Sequence, residues 1–309
     1  MRSRNAVILS LVVLSFMFLY SIGSVSAIEK RTDYRLQEKI EKAIKGLENK
    51  EGNVKRQSKK DLISWGVDSV EPLLAVVKDW KGNSPELRLE CADILGEIKD
   101  KTAVPVLITA LTEAKMTMRY TAARALGRIA DNRAVPDLVK LLNDKEWEVR
   151  FFTAEALGNI GDNTASKPLA NVLAADSDEK VRLAAIEALD KVSGRTEYKI
   201  VINALSDASA GVRGYAAELL ASWGIEEAMP TITNMLKDDR ANIARAGCAR
   251  ALGVYKNVAT VPALIQALGD EYKDVKVYSL ESLKKISGQN YSYDKDAWNH
   301  WFELNKDKK

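Results

Sequence analysis

Few side chains in this sequence can do covalent or metal chemistry. It has one histidine, His300, and two cysteines, Cys91 and Cys248. A structural zinc site needs closely spaced Cys and His ligands, and no CxxC or HxxxH pairing occurs. A serine or cysteine nucleophile needs a histidine base, and His300 stands by itself between Trp298 and Trp301. The phosphate-binding and nucleophile-elbow patterns GxxxxGK[ST], GxGxxG and GxSxG do not occur. Basic and acidic residues nearly balance, 46 against 43, so charge-driven nucleic-acid binding is not indicated. These residues predict no catalytic residue, no metal site and no cofactor.

Charge is nevertheless strongly ordered. Arg88, Arg119, Arg150, Arg182, Arg213, Arg245 and Lys276 are spaced by 31 or 32 residues. Six positions before the last six stand Glu113, Asp144, Asp176, Asp207, Asp239 and Asp270. Isolated, one such pair could pass for an active-site couple. Its recurrence in unit after unit argues for stacking, with each acid meeting helix N–H groups or the arginine of its own or the next unit. Both cysteines fall three residues after the basic column, where other units carry Ala122, Thr153, Ala185, Ala216 and Ser279. Cysteine there is a small apolar filler. The two lie five units apart, roughly 40–50 Å at usual helix spacing, and cannot form a disulfide.

The elements that carry these columns follow from the same period. Six of the seven prolines, Pro72, Pro105, Pro136, Pro168, Pro230 and Pro262, occupy one slot near the start of an apolar run, where a first helical turn tolerates the missing N–H. A second run follows each acid, such as Val149-Arg150-Phe151-Phe152-Thr153-Ala154-Glu155-Ala156-Leu157-Gly158. Its apolar residues recur at three and four, which predicts an amphipathic helix. Gly96, Gly127, Gly158 and Gly253 come eight residues after the arginine and are expected to end these helices as C′ residues. No useful stretch alternates with period two, so essentially no β-strand is expected. Repeated helix pairs bury their apolar faces only by stacking on neighbours. The sequence thus predicts an all-α solenoid, a right-handed superhelix of about seven helix pairs with helical caps.

The pattern Val-Arg-x-x-Ala-Ala-x-Ala-Leu-Gly stands as Val181-Arg182-Leu183-Ala184-Ala185-Ile186-Glu187-Ala188-Leu189 and as Met118-Arg119-Tyr120-Thr121-Ala122-Ala123-Arg124-Ala125-Leu126-Gly127. From about Trp65 to Gly288 the chain resembles the HEAT-repeat superfamily, in the short HEAT-like form of the phycobilisome lyases. The resemblance specifies fold far more than function. Deoxyhypusine hydroxylase shares such repeats but binds iron through His-Glu pairs, which this chain lacks. Phycobilin lyases share the repeat type without a short motif that can be carried over.

The ends differ. Arg2 and Arg4, the apolar run Ala6–Tyr20 and the small residues Val25-Ser26-Ala27 read as a secretory signal peptide cut after Ala27. That order predicts a bacterial extracytoplasmic protein, periplasmic or secreted. If the leader is kept, Ala6–Tyr20 becomes an N-terminal membrane anchor. Residues 28–64, with apolar Leu36, Ile40, Ala43, Ile44 and Leu47, are expected to form an N-terminal helical cap. Residues 65–288 make the repeat array, and 289–309 an aromatic helical cap with Tyr291, Tyr293, Trp298, Trp301 and Phe302.

On each second helix, the positions one, two and five after the arginine should face the concave side. Aromatics concentrate there in the second and third repeats, with Tyr120, Phe151 and Phe152, and Trp147 at the turn edge. Exposed aromatics in a preformed groove suit a protein or peptide partner. The predicted contact set is Tyr120, Arg124, Trp147, Phe151, Phe152, Glu155, Glu187, Tyr215 and Glu218. The expected function is a non-enzymatic scaffold. The alternative is a lyase-like or chaperone-like accessory factor for a cofactor-bearing protein.

Overall fold

The computed structural model describes residues 34–192 and 194–307. Residues 1–27, read from the sequence as a signal peptide, lie outside them. The chain divides into two compact units, one ending at Ile98 and the other starting at Lys99. Among the described residues no strand is found, and no helix is long and apolar enough to cross a membrane.

In the first unit, residues 34–46 form α1, followed by α2 (Gly52–Trp65), α3 (Val70–Lys78) and α4 (Pro85–Ile98). The apolar spacing of α1 turns Ile40, Ala43 and Ile44 inward, and Leu47 beyond its end is buried too. They form the core with Leu62, Leu73, Leu74 and Leu95. Lys55 and Lys59 on α2 pair with Glu90 (2.7 Å) and Asp93 (2.5 Å) on α4.

The second unit is an α-solenoid. Short outer helices alternate with longer inner ones: α5 (Val104–Ala110) with α6 (Met116–Ile129), α7 (Val135–Leu141) with α8 (Trp147–Ile160), and α9 (Ser166–Ala175) with α10 (Glu179–Lys191). Then come α11 (Tyr198–Asn203) with α12 (Ala210–Ser222), α13 (Met229–Asp238) with α14 (Asn242–Tyr255), and α15 (Val261–Ala267) with α16 (Lys273–Ser287). The closing helix is α17 (Lys295–Asn305).

Local chemistry explains each pair. Asp100, Asp131, Asp162 and Asn257 accept the backbone N–H two residues on, opening a single 3₁₀ turn before the outer helix. Pro105, Pro136, Pro230 and Pro262 then sit at the first or second helical position. The α11–α12 pair lacks that proline, and its outer helix spans 6 residues. The inner helices stack in order, α6 on α8, α8 on α10, α10 on α12, α12 on α14 and α14 on α16. Leu126, Leu157 and Leu189 are fully buried in that stack, each stabilising it by about 2 kcal/mol.

The expectation that the glycine column ends the inner helices is corrected. α6 runs two residues past Gly127, and α8 two past Gly158. The left-handed C-cap of α8 is Gly161, at φ 76°. The column glycines instead allow close stacking. A Cβ on Gly127 would lie 2.7 Å from Ala156 Cα, one on Gly158 2.9 Å from Ala188 Cα, and one on Gly253 3.0 Å from Ser282 Cα. Glycine eight residues after the arginine therefore meets a small residue six after the next one. Two further glycines face each other at the α12–α14 crossing, where a Cβ on Gly247 would sit 2.6 Å from the Gly214 carbonyl oxygen.

In the C-terminal cap, Trp298 is fully buried. It packs edge-on against Tyr291 at 4.9 Å, and its Nε1 donates to the Ser292 carbonyl at 2.9 Å. Trp301 and Phe302 are half-buried, while His300 is exposed.

Candidate functional site

The arginine–acid column is a continuous ladder. Nε and Nη2 of Arg119, Arg150, Arg182, Arg213 and Arg245 donate a two-pronged fork to Asp144, Asp176, Asp207, Asp239 and Asp270, each in the following repeat. The third nitrogen, Nη1, turns back to the carbonyls of its own turn, as Arg182 does to Asp176 and Ser177. Each carboxylate also accepts the N–H two residues ahead, as Asp207 does from Ser209. Burial by itself would raise the Asp207 carboxyl, but the hydrogen bonds from Arg182 and Ser209 outweigh it and hold it below its usual 3.8. Asp144, Asp176, Asp239 and Asp270 shift the same way for the same reasons. The expectation that each carboxylate meets its own or the next arginine is corrected: it is held by the arginine of the preceding repeat, as Asp207 is by Arg182, while its own arginine, Arg213, takes the Asp207 backbone carbonyl. The forks tie each repeat to the next and the Nη1 bonds hold each turn, which is a structural role in stacking.

The aromatic positions do come together. Tyr120 on α6 lies 5.2 Å from Phe152 on α8; Phe152 meets Phe151 at 5.1 Å, and Phe151 meets Trp147 at 6.5 Å. All four rings are half-buried. They pack on one another across two repeats while keeping part of each ring in solvent. Cations frame the run: the Arg124 guanidinium lies 5.8 Å from the Phe152 ring, and Lys180 Nζ 4.7 Å from the Trp147 ring.

Carboxylates follow along the same helices. Burial pushes the Glu155 carboxyl up; Lys191 partly offsets this and Glu187 adds to it. Tyr215 on α12 is pushed up to about 12, first by burial and then by Asp190, Glu187 and Glu218. Its hydroxyl lies 3.5 Å from Asp190 Oδ2. Glu218 is paired with Arg250, whose guanidinium stacks 4.5 Å from the Tyr278 ring. All nine residues expected to form the contact set thus lie on the inner helices α6, α8, α10 and α12. Asp190, Arg250 and Tyr278 belong with them and were missed. A ring two residues after one basic residue, facing the fifth residue after the previous one, was the signal for Arg250 and Tyr278; Asp190 stands in the glycine slot, eight residues after Arg182.

The thiols take no part. Cys91 and Cys248 are fully buried, and burial raises both to about 12. Thiolate is the reactive form, so intact-mass measurement after N-ethylmaleimide treatment should show no adduct on the native chain and two after denaturation. A native adduct forming within minutes would mean that these helices open readily. Among the described residues, no group of three or more His, Cys, Asp or Glu converges as a metal site.

Stacked helix pairs with a forward-reaching arginine ladder define an α-solenoid. The HEAT-repeat family profile matches residues 70–146, 116–190 and 198–284, so the chain belongs to the HEAT-repeat family. No curated protein matches it. Among solved structures, YibA of Escherichia coli is 21% identical with a TM-score of 0.61, over 83% of this chain and 97% of that one. The karyopherin Kap121p, solved with the extreme C-terminus of the protein phosphatase Cdc14p, is 13% identical with a TM-score of 0.63. That match covers 84% of this chain and spans about a third, 34%, of the karyopherin. The CpcE–CpcF complex of phycocyanin lyase from a Nostoc species aligns over 76% of this chain and 94% of that one at 22% identity, with a TM-score of 0.46. At these identities the likeness is one of fold.

Proposed function

We propose that this chain is a non-enzymatic, extracytoplasmic scaffold that binds a protein or peptide along its inner-helix face. The observation that carries this reading is the half-exposed run Tyr120–Phe152–Phe151–Trp147. Rings fixed by their neighbours lose little entropy on binding, and aromatic anchors dominate interface energies. A solenoid of the same fold holding another protein's terminus, as in the karyopherin complex, supports the same use of the architecture. The extracytoplasmic assignment rests on the basic start, apolar run and Val25-Ser26-Ala27 exit of the sequence.

The test is affinity capture from an extracytoplasmic extract with residues 28–309 as bait, beside the Phe151→Glu/Phe152→Glu variant. The wild type should retain a partner that the variant loses by about 30-fold in affinity, the equivalent of losing a hot spot of about 2 kcal/mol. Recovery of the same proteins by both baits would reject the face. In the source cells, fractionation should place the chain outside the cytoplasm with Ile28 as its first residue; an intact leader on cytoplasmic protein would reject the location.

A further inference from the structure

One junction on the inner-helix face lacks a part that two others possess. At the α6–α8 junction, the fifth residue after the arginine is Arg124, and it lies over Phe152, the second residue after the next arginine. At the α14–α16 junction the corresponding pair is Arg250 over Tyr278, and Glu218 of α12 neutralises that guanidinium. This fold thus sets a cation on a ring at two junctions, and at one of them adds a carboxylate beside it.

The α10–α12 junction has the ring and the carboxylates without the cation. Tyr215 stands in the ring position, but Glu187 occupies the slot of Arg124 and Arg250. Asp190 lies against the Tyr215 hydroxyl, and Glu218 flanks it from α12 itself. Among the described residues no lysine or arginine pairs with Glu187 or Asp190. The neighbouring ring slots hold Ala184 and Gly247, so no second bulky side chain crowds the ring. The electrostatic effect of Asp190, Glu187 and Glu218 on Tyr215 agrees with their convergence there.

We infer that Tyr215, Glu187 and Asp190 form a receptor for an arginine side chain of the bound polypeptide. The partner's guanidinium stacks on Tyr215 and takes the role that Arg250 plays two junctions away, with Glu187 and Asp190 accepting from its N–H groups. A planar guanidinium suits this slot better than a lysine ammonium, because it can stack on the ring and fork to a carboxylate at once. This inference rests on the scaffold reading above and names its partner chemistry: a segment with an exposed arginine, lying beside side chains that cover the Phe151–Phe152 rings.

The probe is Nα-acetyl-arginine methylamide, with the lysine and citrulline analogues as controls. The readout is the ring NMR signal of Tyr215, assigned from its loss in Tyr215→Leu. The arginine probe should shift that signal saturably, the lysine probe at least about threefold more weakly, and neutral citrulline not at all. Glu187→Gln and Asp190→Asn should each weaken binding about fivefold or more, with thermal melts matching the wild type, whereas Glu281→Gln should change nothing. Equal shifts with arginine and citrulline, the absence of a saturable shift, or indifference to both acid substitutions would overturn the receptor. The two readings fail separately. Captured partners lost by the Phe151→Glu/Phe152→Glu variant but kept by Glu187→Gln would sink the receptor alone. Arginine binding at Tyr215 without any captured partner would sink the scaffold alone.

Discussion

Arg182→Ala should lower folding stability by about 3 kcal/mol, measured by urea or thermal unfolding. Removing one partner from a buried charge pair usually costs about 3–5 kcal/mol. The side chains of Arg182 and Asp207 retain 12% and 10% exposure, which places this pair at the lower end. The substitution leaves Asp207 with the Ser209 N–H as its remaining hydrogen bond and removes a donor from the carbonyls of Asp176 and Ser177. Arg182→Ala/Asp207→Ala should recover part of the loss, because no carboxylate is then stranded. Arg182→Lys should fall between, since an ammonium cannot supply the fork. A loss below about 1 kcal/mol would reduce the rungs to ordinary surface pairs.

The same pairs set the acid limit. Asp207 binds its proton less readily when folded than when unfolded, so its contribution is fully present above the unfolded value of 3.8. It disappears as pH falls through the lower folded value. Asp144, Asp176, Asp239 and Asp270 have the same sign. Stability of the wild type should therefore drop steeply below about pH 4, and Arg182→Ala should drop less steeply there, having one depressed carboxylate fewer.

Gly247→Ala is expected to be destabilising by about 3 kcal/mol, although alanine is the better helix former by about 1 kcal/mol. The added Cβ would come within 2.6 Å of the Gly214 carbonyl oxygen and 2.7 Å of Gly214 Cα. These are backbone atoms, so no rotamer change relieves the clash and α14 must move away from α12. Gly211→Ala is the control. Its Cβ would meet Ser209 Oγ at 3.7 Å and Leu183 Cδ2 at 4.0 Å, which are ordinary contacts, so it should stabilise by about 0.5–1 kcal/mol. A neutral Gly247→Ala in denaturant titration would show that the crossing is loose.

Period and residue type made the fold legible before any coordinates. The arginine column, the proline slot and the three-and-four spacing each marked the same helix pairs, and the structure has them. The glycine column misled because local grammar and packing favour the same residue: a C′ position and a tight helix contact both call for glycine. Only the small residues Ala156, Ala188 and Ser282 of the next repeat, at a fixed offset, separate the two meanings. The aromatic run was readable from Tyr120, Phe151 and Phe152 as inner-helix positions. Trp147 was grouped with them from its place at the turn edge; the structure adds that it reaches the run from the first turn of α8 and meets Phe151 edge-on. The Tyr215 junction was obscure for a further reason. A missing cation is visible only after the geometry of Arg124–Phe152 and Arg250–Tyr278 shows a guanidinium over the ring at each of those two junctions.

The ladder also has a polarity. Every guanidinium reaches toward the C-terminal neighbour, and every carboxylate is grasped from the N-terminal side. A whole period spliced in at a turn would find a mate for both of its charges, whereas a fragment of a period would strand one of them. Length in such a chain can thus change by complete modules at little energetic penalty, and the inner-helix face would lengthen or shorten with it.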